Sequence, residues 1–151
     1  MAARQPHDRR IPRTTANIDH IVIAPSGIWI VDAKRYRGAI KRIDKGGWFR
    51  TDLRLTVGGR DRTKLIDGLH KQHGHVVDAL SKSDSELPQI HGVLCFVEGE
   101  FSLFSRPFTM SDVLITWPKA LYKQLLAAGP ITVEEREILQ RVLAERLPPA
   151  A

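Results

Sequence analysis

The first part of the chain contains two aspartates and a lysine that could act together. Aspartates bind metal ions, and a nearby lysine can help to activate water. Asp32 and Lys34 are separated by one residue, so on a β-strand their side chains point to the same face. Asp19 lies on a preceding apolar run that a turn at 24–27 folds back against theirs. Two close carboxylates repel unless a cation or proton lies between them, and Mg²⁺ or Mn²⁺ prefers such oxygen ligands. The set predicts metal-assisted phosphodiester hydrolysis, in which Lys34 orients water or stabilises charge on the phosphate.

The length of the turn decides which residues meet across this hairpin. If four residues form the turn, paired residue numbers add up to 51 and Asp19 lies opposite Asp32, with Cβ atoms about 5 Å apart. A three-residue turn with a bulge brings His20 opposite Asp32 instead. Pro25 disfavours a two-residue turn of the primed types, because its ring fixes φ at about −65°. The sequence leaves the first two arrangements open, and a plain salt bridge between Asp19 and Lys34 is a further interpretation without catalysis.

The elements that must position these residues are strands and helices of a mixed α/β fold. Apolar periodicity predicts strand hairpins at 18–24 with 28–34 and at 39–43 with 48–51, a helix over 62–80, strands at 93–97 and 113–117, and helices at 121–128 and 132–147. Residues 52–60 fit either a strand or a loop. Thr132 and Glu135 form a capping box at the start of the last helix.

The length and composition of the chain indicate one main domain with a further segment on each side of it in the sequence, and the C-terminal segment either completes the domain or mediates pairing with another chain. Of the 151 residues, 42% are hydrophobic, which excludes wholesale disorder. We expect a basic flexible arm or truncated remnant at 1–16, the main domain at 17–128, and a C-terminal helix and tail at 129–151. The apolar runs are too short to span a bilayer, and no secretion signal is visible. From the short apolar runs we expect no membrane partner. Because the lone Cys95 cannot form an internal disulfide, we expect the protein to be cytoplasmic.

Basic residues are concentrated in the half of the chain that holds the aspartates. The net charge is +6, and residues 1–74 contain 16 Lys/Arg against 7 Asp/Glu, whereas residues 75–151 contain 7 against 10. This asymmetry predicts a face that binds nucleic acid, with Trp48 and Phe49 able to stack on unpaired bases. The residues expected to contact the phosphate backbone are Arg35, Arg37, Lys41 and Arg42.

Four short motifs in this region are similar to those of a known family. They are Asn17-Ile18-Asp19-His20, Pro25-Ser26-Gly27, Val31-Asp32-Ala33-Lys34 and Arg37-Gly38. Together they resemble the nuclease-related domain, NERD, of the PD-(D/E)xK superfamily, over about residues 17–120. The resemblance implies a restriction-endonuclease-like fold, in which helices flank a central mixed sheet.

The resemblance also implies a role for each residue of the site. Asp19 corresponds to the first metal-binding acid, Asp32 to the second and Lys34 to the catalytic lysine. Gln72, on the helix that follows, corresponds to a glutamine that this family places near the site. We expect the Ala33 carbonyl to add a metal ligand, with Mg²⁺ or Mn²⁺ as the cofactor.

One feature of the family is absent from the sequence. Family members begin with a helix bearing a Gly-x-x-Gly-Glu-like signature whose Glu joins the metal site, and nothing in residues 1–16 matches it. We therefore expect the first family helix to be missing. Two hypotheses for function follow. The first is a metal-dependent nuclease acting on DNA, and the alternative is a catalytically inactive nucleic-acid-binding or interaction module that keeps the nuclease fold.

Overall fold

A computed structural model describes residues 20–82 and 86–147, which form nine strands and three helices. The strands are β1 (His20–Ala24), β2 (Gly27–Lys34), β3 (Gly38–Asp44), β4 (Leu53–Val57), β5 (Arg60–Asp61), β6 (Ile90–Phe96), β7 (Gly99–Glu100), β8 (Phe108–Met110) and β9 (Val113–Thr116). The helices are α1 (Lys64–Leu80), α2 (Pro118–Leu125) and α3 (Val133–Arg146). The mixed α/β class predicted from the sequence is confirmed.

The main sheet has five strands in the order β1-β2-β6-β9-β8. Its three inner strands run parallel, and the outer strands β1 and β8 are antiparallel to their neighbours. Helix α1 packs on one face against β2, β6 and β9, and α2 packs on the other face against β6. The inner strands are buried on both faces, which explains why β2 and β6 are almost continuous apolar runs in the sequence.

A second, smaller sheet has the strand order β5-β4-β3-β7. Two of its strands follow inner strands of the main sheet in the chain. β3 follows β2 and β7 follows β6, and these two continuations pair in parallel, as β2 and β6 do. The Val97 N–H donates to the Lys34 carbonyl at 2.9 Å where one pairing passes into the other. Gly38 begins β3 at φ +115°, and a Cβ there would lie 2.6 Å from the Cα of Gly58. This bend therefore requires glycine.

The apolar residues form two cores on opposite faces of the main sheet. Ile28 and Ile30 of β2 belong to the core beneath α1, which also contains Leu69. Trp29 and Val31, which alternate with them, belong to the other core, together with Cys95 and Leu121 of α2. The strand alternation predicted for 28–34 is thus observed, and Cys95 is a core residue whose thiol pKa is raised by burial.

Apart from the second hairpin, the predicted elements are confirmed with changes of up to three residues at their ends. The strands predicted at 93–97 and 113–117 are β6 and β9, and the helix predicted at 121–128 is α2. The first hairpin is β1 with β2, and the helix predicted over 62–80 is α1. α3 begins with the predicted capping box: the Glu135 N–H donates to Thr132 Oγ1 at 3.2 Å, and the Thr132 N–H donates to Glu135 Oε2 at 2.8 Å. No helix within the described ranges is long and apolar enough to cross a bilayer.

The strand predicted at 48–51 is wrong. The partner of β3 is β4, which lies in the region 52–60 that fitted either a strand or a loop, and residues 45–52 form the connection between them. Asp44 Oδ1 accepts hydrogen bonds from the N–H groups of Gly46 at 2.8 Å and Asp52 at 2.9 Å. These bonds close the longer loop and leave Trp48 and Phe49 in solvent. The short strands β5, β7 and β8 were not predicted.

Candidate active site

The turn of the first hairpin sets the register of the strand that carries the candidate site. Ala24 pairs with Gly27, so the turn consists of Pro25 and Ser26, two residues fewer than the turn considered from the sequence. Neither turn residue has a positive φ, so the turn is not of a primed type, whereas Gly27 has φ +150°. A Cβ on Gly27 would lie 2.6 Å from the Gln89 carbonyl oxygen, so glycine is required here as well.

The observed pairs are those whose residue numbers add up to 51. His20 lies opposite Val31, which excludes the bulged alternative that places it opposite Asp32. This is the register on which the predicted Asp19–Asp32 pair depends. Asp19 itself lies outside the described residues, as does the arm predicted at 1–16 with its missing helix.

Asp32 and Lys34 form an ion pair near the end of β2. Lys34 Nζ lies 3.2 Å from Asp32 Oδ1. The side chains of both residues lie on the same face of β2 as Ile28 and Ile30, and α1 covers this face. The Asp32 side chain is 7% exposed and that of Lys34 is 25% exposed. The pair therefore joins a buried carboxylate to an ammonium group that reaches solvent, an arrangement in which the lysine can contact both a ligand of the carboxylate and an incoming substrate.

Gln72 lies on the face of α1 that packs against the sheet. It belongs to the buried stripe that includes Ile66, Leu69 and Val76, although its side chain is polar. Its Oε1 atom is buried and has no hydrogen-bond partner among the residues that the structure describes. An unsatisfied buried amide oxygen costs about 1–3 kcal/mol. This oxygen is therefore a candidate acceptor for water, or a ligand for a cation, in the layer between α1 and the sheet.

The oxygen atoms that the described part of the site offers are of the kind that a hard metal cation binds. The Asp32 carboxylate and the Gln72 amide supply oxygen atoms, and Mg²⁺ and Mn²⁺ prefer oxygen ligands. Ala33 lies between Asp32 and Lys34 with its side chain exposed. Within 20–82 and 86–147, no group of three His, Cys, Asp or Glu residues is arranged to hold a metal. The described part thus provides oxygen ligands of the right kind without a complete acidic cluster.

The predicted phosphate-binding residues lie on the segment that leaves this site. All four are exposed, two in the connection between β2 and β3 and two on β3: Arg35, Arg37, Lys41 and Arg42. The Arg37 Nε donates to the carboxylate of Glu98 at 3.1 Å, which links the β2–β3 connection to the β6–β7 connection. The Arg42 guanidinium lies 5.5 Å from the centre of the Phe108 ring. Within the described ranges, neither Arg35 nor Lys41 has an ion pair or a ring contact.

One contact beside the site was not foreseen in the sequence. The Arg62 guanidinium lies 4.5 Å from the centre of the Tyr36 ring, a cation–π distance. Tyr36 follows the Asp32–Lys34 pair by two residues, and Arg62 lies two residues before Lys64, which begins α1. The contact therefore ties the segment after Lys34 to the helix that carries Gln72. Because Tyr36 and Arg62 are far apart in the chain, no local sequence pattern predicts their contact.

Fold and site together define a restriction-endonuclease-like protein, with two mixed sheets, three helices in the described part, and an Asp-x-Lys motif at the end of a central strand. The family model of the nuclease-related domain, NERD, matches residues 4–97, from part of the predicted arm to the end of β6. The chain belongs to this family, and its predicted placement in the PD-(D/E)xK superfamily is consistent with that membership. No curated protein and no solved structure matches the chain significantly.

Proposed function

We propose that this protein is a metal-dependent nuclease that hydrolyses phosphodiester bonds of DNA. The observation that carries the proposal is the Lys34 ammonium held 3.2 Å from the buried Asp32 carboxylate at the end of β2. Membership of a nuclease-related family supports the same reaction class. A carboxylate can hold the metal that activates water, and a lysine beside it can stabilise the charge that develops on the phosphate.

Each residue of the site has a chemical part in this reaction. Asp32, with Asp19 and the Ala33 carbonyl as predicted, would hold Mg²⁺ or Mn²⁺, which supplies a Lewis acid that polarises a phosphoryl oxygen. Lys34 donates hydrogen bonds to the attacking water and to the phosphate oxygens, where negative charge develops. The Gln72 Oε1, which is buried and has no hydrogen-bond partner in the described structure, would accept a hydrogen bond from a water at the site and steady it.

Exposed cations along the path from the site would dock the substrate backbone. Arg35 and Lys41 present their charges to solvent and are the simplest phosphate ligands. Arg37 already donates a hydrogen bond to Glu98, so its guanidinium has fewer N–H donors left for a phosphate. We expect binding to weaken as salt increases, by roughly 0.7–0.9 logarithmic units per phosphate contact for each tenfold increase in salt.

Cleavage assays on purified protein test the proposal. Supercoiled plasmid, single-stranded DNA and RNA are incubated with Mg²⁺, Mn²⁺ or EDTA, using wild type, Asp32→Asn and Lys34→Ala. Lys119→Ala is the matched control, since Lys119 is an exposed lysine on α2, the helix on the other face of the sheet. We expect metal-dependent cleavage of DNA that falls by at least about 100-fold in Lys34→Ala and is unchanged in the control.

Two results would contradict the proposal. Equal cleavage by wild type and Lys34→Ala would identify a contaminating enzyme. Retained DNA binding without cleavage by wild type would favour the catalytically inactive nucleic-acid-binding module. Titration with Mn²⁺ gives a readout that does not depend on turnover, because Asp32→Asn removes a metal ligand and should weaken Mn²⁺ binding.

A further inference from the structure

Two neighbouring aromatic side chains lie fully in solvent at the tip of the β3–β4 hairpin. Trp48 and Phe49 have essentially all of their surface exposed. Large aromatic rings in a folded protein usually bury most of their area, so two adjacent and wholly exposed rings indicate a surface that something else covers. Phe104, in the loop that follows β7, is the next most exposed aromatic side chain in the described ranges, at 91%.

The loop that carries these rings is held by its own hydrogen bonds. Asp44 Oδ1 accepts from two backbone N–H groups of the loop, and the Lys45 N–H donates to the Asp52 carbonyl at 2.9 Å. A Cβ on Gly46 would collide with the Arg50 carbonyl, so the tight turn requires glycine at this position. The rings therefore take no part in ordering the loop, and the loop presents them without help from their own packing.

The charge around the rings favours a polyanion as the occupant. Residues 38–57 contain five Lys/Arg and two Asp, a balance of +3. Both aspartates are engaged, because Asp44 closes the loop and Asp52 pairs with Arg54 at 3.0 Å. Lys45 and Arg50 flank the rings and are exposed. Aromatic rings set among cations bind unpaired nucleic-acid bases, which stack on the rings while their phosphates meet the cations.

The position of the hairpin connects it to the candidate active site. β3 follows directly after β2, which ends at Lys34, and the six steps from Gly38 to Asp44 carry the chain about 20 Å towards the tip. Lys41 lies exposed along this path. A nucleic-acid strand that extends from the site can therefore follow β3 to the rings.

We infer that Trp48 and Phe49 stack on unpaired bases of the substrate strand, so that the preferred substrate is single-stranded or carries an unpaired segment. The inference rests on the proposed function for the substrate class. Bases inside a duplex are already stacked on each other and offer no free face to the rings. A hairpin that grips unpaired bases therefore selects single strands over intact duplex.

The experiment measures equilibrium binding without cleavage. In the Lys34→Ala background with EDTA, labelled oligothymidylate and a blunt duplex are titrated against the chain with Trp48, Trp48→Phe, Trp48→Leu or Phe104→Ala. Trp48→Leu should weaken single-strand binding about 5- to 150-fold and leave duplex binding unchanged. Trp48→Phe should retain most of the affinity, because a smaller ring still stacks. Phe104→Ala is the matched control, since it removes a nearly fully exposed ring in another loop, and should have no effect.

The outcomes separate this inference from the proposed function. Equal single-strand affinity for Trp48 and Trp48→Leu, together with metal-dependent cleavage by the chain that keeps Lys34, would overturn the stacking role and leave the nuclease proposal standing. Equal affinity of Trp48→Leu and Trp48→Phe would identify plain apolar contact and also overturn it. If the chain with Trp48 binds anionic lipid vesicles and does not bind oligothymidylate, the rings contact a membrane surface and the inference is overturned. Selective loss in Trp48→Leu supports the inference even if no cleavage is found.

Discussion

The ion pair between Asp32 and Lys34 should stabilise the fold measurably. Charges 3.2 Å apart attract by about 5 kcal/mol at an effective dielectric constant of about 20. Water recovers part of this when Lys34 is removed, because a quarter of its side chain is already exposed. The carboxylate, at 7% exposed, is less accessible to water. We therefore expect a coupling free energy of about 1–3 kcal/mol.

A double-mutant cycle measures this coupling. Asp32→Asn, Lys34→Met and the double variant are unfolded in urea at neutral pH with EDTA, so that no divalent cation contributes. Lys34→Met alone should lose the most stability, since it leaves the buried carboxylate without this cation. Asp32→Asn should lose less, because Lys34 can extend into water. The double variant should be close to Asp32→Asn.

An exposed ion pair in the same chain is the internal control. Arg54 and Asp52 lie 3.0 Å apart, but their side chains are 40% and 34% exposed. Such pairs usually couple by less than about 1 kcal/mol. If the Asp32–Lys34 coupling is no larger than that of Asp52–Arg54, the reasoning from burial is refuted. The pair at the end of β2 would then be an ordinary surface contact.

Three further changes should have distinct effects. Gln72→Met removes a buried amide oxygen that lacks a hydrogen-bond partner in the described structure, so the free energy of unfolding should rise by about 1 kcal/mol while DNA cleavage falls; a loss of stability would contradict this. Burial lowers the pKa of His91 below its ordinary value of 6.5, so the unfolded chain binds the proton more readily. Wild type should lose stability in urea as pH falls below 6.5 and through the folded-state pKa, and His91→Gln should lose this part of the pH dependence. Gly38→Ala should cost more than about 1 kcal/mol in thermal unfolding, because φ is +115° and Gly58 leaves no room. The control Gly47→Ala meets nothing within 4 Å and should change stability by less than about 0.5 kcal/mol.

The elements that position the site could be predicted where their burial pattern is local in the sequence. β2 is buried on both faces and is therefore a continuous apolar run, and the buried residues of α1 recur at helical spacing. The start of α3 was predictable for a similar reason, because Thr132 and Glu135 bond to each other's backbone within one turn. Each of these signals involves neighbours along the chain.

The hairpin of β3 and β4 could not be predicted as it is. Trp48 and Phe49 are residue types enriched in strands, which favoured a strand at 48–51. The bonds from Gly46 and Asp52 to the Asp44 carboxylate determine a longer loop, and that loop moves the paired strand to 53–57. Strand propensity largely measures packing against neighbours, and at this tip the described chain supplies none.

The sequence by itself determined that Asp32 and Lys34 share a face, because successive side chains of a strand alternate by covalent geometry. It also carried enough of the NERD motifs to identify the family. Only the tertiary structure decided the register of the first hairpin, since two- and four-residue turns give the same pairing and a three-residue turn does not. Packing of α1 on the sheet likewise decided that Gln72 is buried on the Asp32–Lys34 side. The register depends on the conformation of the short turn at 25–26, and the burial of Gln72 depends on packing between segments far apart in the chain.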